Sequence, residues 1–189
     1  MSQAVEEIRW TIYDLEVLAK NDAIRYEVID GELFMTRSPH RKHQQVCVKI
    51  ASPLDSWSES TNLGVTIITP GLIFSEVDSV IPDLVWVSKE RLSQIEDEAG
   101  HLTAAPELIV EVLSLGKQNE VRDKETKLKL YSVRGVQEYW IVDRFHKQVE
   151  VYRRQEARLV LVATLMGDER ITSPLLPGFT CSIDRFFPD

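Results

Sequence analysis

Glu111 interrupts an otherwise apolar run, Leu108-Ile109-Val110-Glu111-Val112-Leu113. Alternate residues of a strand face opposite sides, so Glu111 shares a face with Ile109 and Leu113 while Leu108, Val110 and Val112 occupy the other. A carboxylate in that setting costs several kcal/mol unless it is paired, protonated or bound to a cation. A buried ion pair with Lys or Arg meets that need, as does a strand end that lets the side chain reach water. Asp83 opens a second apolar run, Asp83-Leu84-Val85-Trp86-Val87, directly after Pro82. Its plain structural reading is a turn acid capping the start of the strand. Taken together, two acids on buried strands offer hard oxygen ligands that could share one Mg²⁺ or Mn²⁺, and Mg²⁺ in particular keeps several waters and needs only one or two protein carboxylates.

A third charged group comes from the helix expected over Asn119 to Arg134, which Gly135 would end. At about 100° per residue, Leu128 and Tyr131 lie to one side of Lys127 and Leu130 to the other, so Lys127 belongs to the inward half of the helix. Lys124 falls in the same arc, and Lys129 points outward. An inward ammonium needs an anion, and Glu111 on the preceding strand is one. A plain Lys127 to Glu111 ion pair, or a lysine whose stem is buried and whose tip reaches water, explains the position equally well.

Other elements must position these groups. Thr11 and Asp14 have the form of a capping box ahead of Ile12, Leu15, Leu18 and Ala19 at helical spacing. Asp30-Gly31 suits a two-residue hairpin turn between strands 25–29 and 32–36, which pairs Ile29 with Glu32 and Glu27 with Phe34. Ser38-Pro39 reads as the cap and first residue of a helix with a buried stripe of Val46, Ile50, Leu54 and Trp57, which Pro53 should end or kink. His43 lies on the same side. Pro70-Gly71 marks a second hairpin or tight turn between 65–69 and 72–75, and Ser88 can cap a helix reaching Ile95. Strands are expected over 138–143, 148–153 and 158–165, the first two as a hairpin. The fully apolar run around Glu111 implies a central strand covered by helices on both faces. An α/β or α+β domain with a mixed sheet follows.

The 189 residues carry 22 basic and 30 acidic side chains, a formal charge of −8, with 43% hydrophobic residues and only eight Gly and eight Pro. That composition excludes collagenous, mucin-like and largely disordered chains. With no repeat or linker, a single domain over 1–189 is expected. No stretch approaches the apolar length of a membrane span, the N-terminus lacks a signal-peptide pattern, and the expectation is a cytoplasmic protein. Cys47 and Cys181 match no metal spacing and are expected as buried, reduced thiols. An acidic chain is not an obvious nucleic-acid binder. Its bases are nevertheless unevenly distributed, with four and no acid between Leu33 and Leu54, and six against three acids between Lys117 and Arg134.

Pro82-Asp83, Glu111-Val112-Leu113-Ser114 and the segment from Asp123 to Tyr131 with Lys127 inside it resemble the PD-(D/E)XK nuclease-like superfamily. Blocks at Tyr26 to Glu32, Pro82 to Leu92, Glu138 to Asp143 and Leu176-Pro177-Gly178 are similar to its Uma-two branch of restriction-endonuclease-like proteins. This resemblance implies a restriction-endonuclease-like mixed β-sheet core flanked by helices, with extra β-hairpins. It also implies Mg²⁺-dependent (or Mn²⁺-dependent) hydrolysis of phosphodiester bonds in nucleic acid, DNA foremost. Asp83 and Glu111 match the metal-binding acids. The motif's lysine, two residues after the second acid, is replaced here by Leu113, and Lys127 from the helix is the match, with Lys124 and Lys117 as rivals. Glu32 matches an additional acid near the metal, with Glu27 as its rival, and His43 is a further candidate. Leu115-Gly116 departs from the Pro-Ser of relatives.

The catalytic set implied is Asp83, Glu111, Lys127 and Glu32. Fold-level analogy adds a homodimer able to reach both strands of a duplex. The competing reading is a noncatalytic interaction or nucleic-acid-binding module on the same fold, with Glu111 and Lys127 as a structural ion pair. A carboxylate-pair glycosidase would need an aromatic-lined cleft, of which the sequence gives no sign.

Overall fold

The computed structural model describes residues 8–18 and 24–188. In chain order they form α1 (Ile12–Leu18), β1 (Ile24–Ile29), β2 (Glu32–Arg37), α2 (Arg41–Thr61), β3 (Gly64–Ile68), β4 (Leu72–Ser75), β5 (Asp78–Val80), β6 (Leu84–Ser88) and α3 (Lys89–Ile95). Then come β7 (Leu108–Val112), α4 (Lys117–Val121), a π-helical turn (Arg122–Thr126), α5 (Lys127–Arg134), β8 (Glu138–Asp143), β9 (Gln148–Gln155), β10 (Arg158–Met166), β11 (Arg170–Ser173) and β12 (Leu176–Ser182), before a closing 3₁₀ turn at Ile183–Phe186.

Six strands make the main sheet in the order β10-β9-β8-β7-β6-β3. Only β7 and β8 run parallel, joined by the helical stretch 117–134, so the sheet is mixed. The central strand divides its side chains as alternation requires. Leu108, Val110 and Val112 pack with Val46, Ile50 and Leu54 of α2, whereas Ile109 and Leu113 pack with Leu130 and Tyr131 of α5. Each face thus has its own apolar core, and a charged residue on β7 can face only one of them. A second sheet, β2-β1-β5-β4, shares the α5-side core through Ile29, Leu72 and Val80. The mixed-sheet core with flanking helices and added hairpins is the architecture expected from the sequence.

The first hairpin has the expected register, with Asp30 and Gly31 at φ 50° and 78°. Thr11 and Asp14 cap α1, the Thr11 N–H donating to Asp14 Oδ2 at 2.8 Å, while Ala19 lies outside the described residues. Ser88 caps α3, accepting from the Arg91 N–H. Both cysteines are buried and free.

Three local expectations are corrected. Helix α2 starts at Arg41, with His40 as its cap, because the His40 imidazole accepts the Lys42 N–H and leaves Pro39 outside. It also does not end at Pro53 but runs on to Thr61, since the buried positions Leu54 and Ser58 continue the stripe beyond the proline. The segments around Pro70-Gly71 do not form a hairpin: β3 pairs with β6 in the main sheet, and β4 with β5 in the other. Thr69 at φ 48° turns the chain out of the main sheet, and the His101 ring lies so close to Gly71 that a Cβ would sit 2.6 Å from it.

Candidate active site

The β6–β7 ladder pairs Val85 with Ile109 and Leu84 with Val110, so one further step sets Asp83 opposite Glu111. Residues directly opposite in an antiparallel pair point to the same face. The ladder ends there because Asp83 supplies a side-chain acceptor where the strand would supply a carbonyl: its Oδ2 takes the Val112 N–H at 2.9 Å. The same oxygen is 3.1 Å from His43 Nε2, which places the imidazole proton on Nε2. Asp83 Oδ1 faces Arg25 at 3.8 Å.

Glu111 is 3% exposed and Lys127, the first residue of α5, is 1% exposed. Lys127 Nζ donates to Glu111 Oε1 at 2.7 Å and lies 2.9 Å from Glu27 Oε1. Tyr131, one helical turn along, donates its hydroxyl to the same Glu111 Oε1 at 3.0 Å. Both bonds use Oε1, leaving Oε2 as the oxygen available to the cleft. Glu27 Oε1 also accepts the Ile81 N–H at 2.8 Å, and Arg122 lies 3.8 Å from Oε2. Arg122 in turn bonds its chain neighbour Asp123 at 3.0 Å.

Glu27, His43, Asp83, Glu111, Arg122, Asp123 and Lys127 line one small cleft of about 30 Å³, together with Arg25 and Arg37. Around it four buried carboxylates (Glu27, Asp83, Glu111, Asp123) face two buried cations (Arg122, Lys127). The imbalance falls hardest on Glu111. Burial, with repulsion from Asp83, Asp123 and Glu27, outweighs Lys127 and pushes its carboxyl up to about 8. Burial also raises Asp123 despite Lys127 and Arg122. For Glu27, burial is outweighed by Lys127, Arg122 and the Ile81 N–H, which hold it below the usual carboxylate range. Asp83 is likewise held low against burial by His43 and the Val112 N–H. Desolvation would lower the Lys127 ammonium, but Glu111, Glu27 and Asp123 keep it well above the usual lysine range.

Asp83, Glu111 and Lys127 are therefore brought together. Glu32 is not: the hairpin register sets it opposite Ile29 at the turn end of the outer strand β2, exposed. Glu27, on the inner strand between β2 and β5, reaches the cleft in its place. Lys117 is exposed, and Lys124 turns to Glu150 at 2.8 Å and Glu120 at 3.4 Å. The π turn explains Lys124, because the wider turn rotates residues before Lys127 away from regular helical phase. It also seats Arg122 and Asp123 in the cleft, which helical spacing alone did not reveal. The adjacent Arg-Asp pair on a segment opposite a buried strand was the available signal.

Asp83 and Glu111 offer hard oxygens, Oδ1 and Oε2, to a site with excess negative charge, a donor set that suits Mg²⁺ or Mn²⁺. His43, Cys47 and Asp83 form another donor set, with ligand atoms within 4.8 Å of one another. There the imidazole faces Asp83 through Nε2 and Cys47 through Nδ1 at 3.6 Å, so it bridges the two rather than converging with both on one ion. Burial, with Asp83 and Glu111 nearby, pushes the Cys47 thiol up and keeps it protonated, which further disfavours that set.

Comparison with known proteins adds independent information. The family described as Uma2, putative restriction endonuclease, matches residues 11–184. Among solved structures, a putative nuclease belonging to DUF820 from Anabaena variabilis ATCC 29413 has a TM-score of 0.74. The match covers 94% of this chain and 97% of that one at 19% sequence identity, a likeness of fold. No curated protein matches the sequence.

Proposed function

Since the chain belongs to the Uma2 family of putative restriction endonucleases, we propose that it hydrolyses phosphodiester bonds of nucleic acid, DNA foremost, with a divalent cation. Asp83 Oδ1 and Glu111 Oε2 would hold Mg²⁺ or Mn²⁺. When bound, the ion supplies Lewis-acid charge and lowers the pKa of a water. The observation that supports this reading most is the surplus of buried carboxylate around one cleft, with Glu111 raised to about 8. A divalent cation held there would relieve that surplus.

The chain's own groups have separable tasks. His43 and the Val112 N–H fix Asp83, and Tyr131 and Lys127 fix Glu111. Lys127 stays protonated, so it acts as a donor and a positive charge rather than as a general base. An ammonium has three N–H donors, and two are directed at Glu111 and Glu27. The third is left to orient a water or a phosphate oxygen and to offset charge developing in the transition state. Arg25 and Arg37 at the cleft attract the substrate phosphate. A homodimer reaching both strands belongs to the same proposal and is tested by light scattering on the purified protein.

The noncatalytic reading draws on one specific feature: Lys127 already bridges Glu111 and Glu27 without a metal. Nicking assays with Mg²⁺ and Mn²⁺ on single- and double-stranded substrates, together with calorimetric titration of each ion, separate the two. Wild-type protein should cut, Asp83→Asn and Glu111→Gln should bind no ion and not cut, and Lys127→Met should fall by 100-fold or more (roughly the size of losing one transition-state donor). A wild-type protein that binds neither ion and nicks nothing returns the cleft to a structural role.

A further inference from the structure

A second pocket opens at the same end of the main sheet and has no assigned role. Lys42, Arg144 and Lys147 line it, over an apolar floor of Val46, Phe187 and Pro188, and among the described residues no acidic one lines it. Its position follows from two adjacencies. Lys42 precedes His43 on α2, and successive helical residues diverge by about 100°, so His43 turns into the cleft while Lys42 turns to this pocket. Arg144 and Lys147 belong to the turn after β8, whose residue Ile141 pairs with Glu111.

Among the described residues none of the three cations has a carboxylate partner, in a chain whose net charge is −8. Arg144 lies over the Phe145 ring at 4.1 Å from its centroid, and its Nε is buried with no hydrogen-bond partner among the described residues. The turn is held from below by Asp143, which accepts the Phe145 and His146 N–H groups at 2.9 and 3.1 Å. Lys147 adopts φ 52°, a left-handed conformation that Gly or Asn takes more easily. The pocket thus gathers three cations, one of them at a conformational cost.

We propose that this pocket binds a backbone phosphate of the nucleic-acid strand whose scissile phosphate occupies the cleft. The inference rests on the nuclease reading for the identity of the strand. Arg144 supplies a planar fork of donors, and the two lysines add point charges. The contact positions the strand without reading bases.

The test measures binding of a fluorescein-labelled duplex, and of its single strand, to full-length protein carrying Glu111→Gln, across a series of KCl concentrations. Lys42→Gln, Arg144→Gln and Lys147→Gln are each added to that background. Arg158→Gln, at the far end of the β9–β10 hairpin from Lys147, controls for net charge. Each pocket change should weaken binding several-fold and reduce the slope of log K against log[salt] by about 0.9 for duplex or about 0.7 for single strand. Arg158→Gln should leave the slope unchanged. Unchanged slopes in the Lys42 and Lys147 variants, whose side chains lie at the surface and whose folding is checked by thermal melts, overturn the subsite whatever Arg144→Gln does. The absence of any nucleic-acid binding overturns it too. Cleavage by wild-type protein with unaltered slopes defeats this proposal alone. Binding that weakens as stated, with no cleavage by wild-type protein, defeats the nuclease reading alone.

Discussion

Glu111 is pulled two ways, toward ionisation by Lys127 and toward neutrality by burial and the surrounding acids, and burial prevails. The unfolded chain releases this proton near the ordinary value of 4.5, the folded protein near 8. Between those values the folded state holds a proton that the unfolded chain has lost, so this residue's contribution to stability is complete below pH 4.5 and falls as pH rises toward 8. Glu111→Gln removes that dependence. Thermal melts from pH 5 to 9 should show the variant gaining on wild type as pH rises, and a variant less stable at pH 9 by as much as at pH 5 contradicts the argument. His43 acts in the opposite sense on Asp83. His43→Ala takes away the hydrogen bond that holds that carboxylate low. Loss of such a supporting contact should weaken Mn²⁺ affinity by roughly 10- to 100-fold in calorimetry, with a larger deficit at pH 6 than at pH 8.

At the scale of elements, the π turn between α4 and α5 decides which charges enter the cleft. Regular helical phase would have left Lys124 in the inward arc. The wider turn sends it to Glu150 and brings in Arg122 and Asp123. The Tyr139 hydroxyl on β8 donates to the Asp123 carbonyl of that turn at 3.0 Å, in a fully buried position. Tyr139→Phe leaves the carbonyl without this donor and should cost about 1–3 kcal/mol in urea unfolding, with cleavage reduced further than stability alone accounts for. The elements differ in how legible they were. The Asp30-Gly31 hairpin, the Ser88 cap and the two-faced β7 all follow from short-range patterns. The π turn does not, because nothing local to 122–126 distinguishes it from ordinary helix. Pro70-Gly71 misled for a related reason: the dipeptide encodes a tight turn, whereas the choice of partner strand depends on which core buries Leu72.

For the molecule as a whole, the proposed metal site would couple stability to the cation. Any ligand that binds only the folded state raises its stability by RT ln(1 + [L]/Kd), about 2.7 kcal/mol at one hundred times Kd. Mn²⁺ or Mg²⁺ should therefore raise the melting temperature of wild-type protein progressively and leave Asp83→Asn unchanged, which differential scanning fluorimetry can follow. An equal rise in both places the ion elsewhere. Among the described residues no helix is long and apolar enough to cross a membrane.

The amino-acid sequence alone determined the mixed sheet between helices, and it marked Asp83, Glu111 and Lys127 as charges on positions that alternation and helical phase turn inward. Those periodicities are local, so they can be read from neighbours in the chain. Which acid joins them was decided only by tertiary structure. Glu27 and Glu32 occupy one face of the same hairpin, and the pairing of β1 with β5 makes β1 the inner strand, burying Glu27 beside Lys127 and leaving Glu32 in water. Contacts between segments 50 or more residues apart set that outcome, since a side chain's solvent exposure depends on what packs over it.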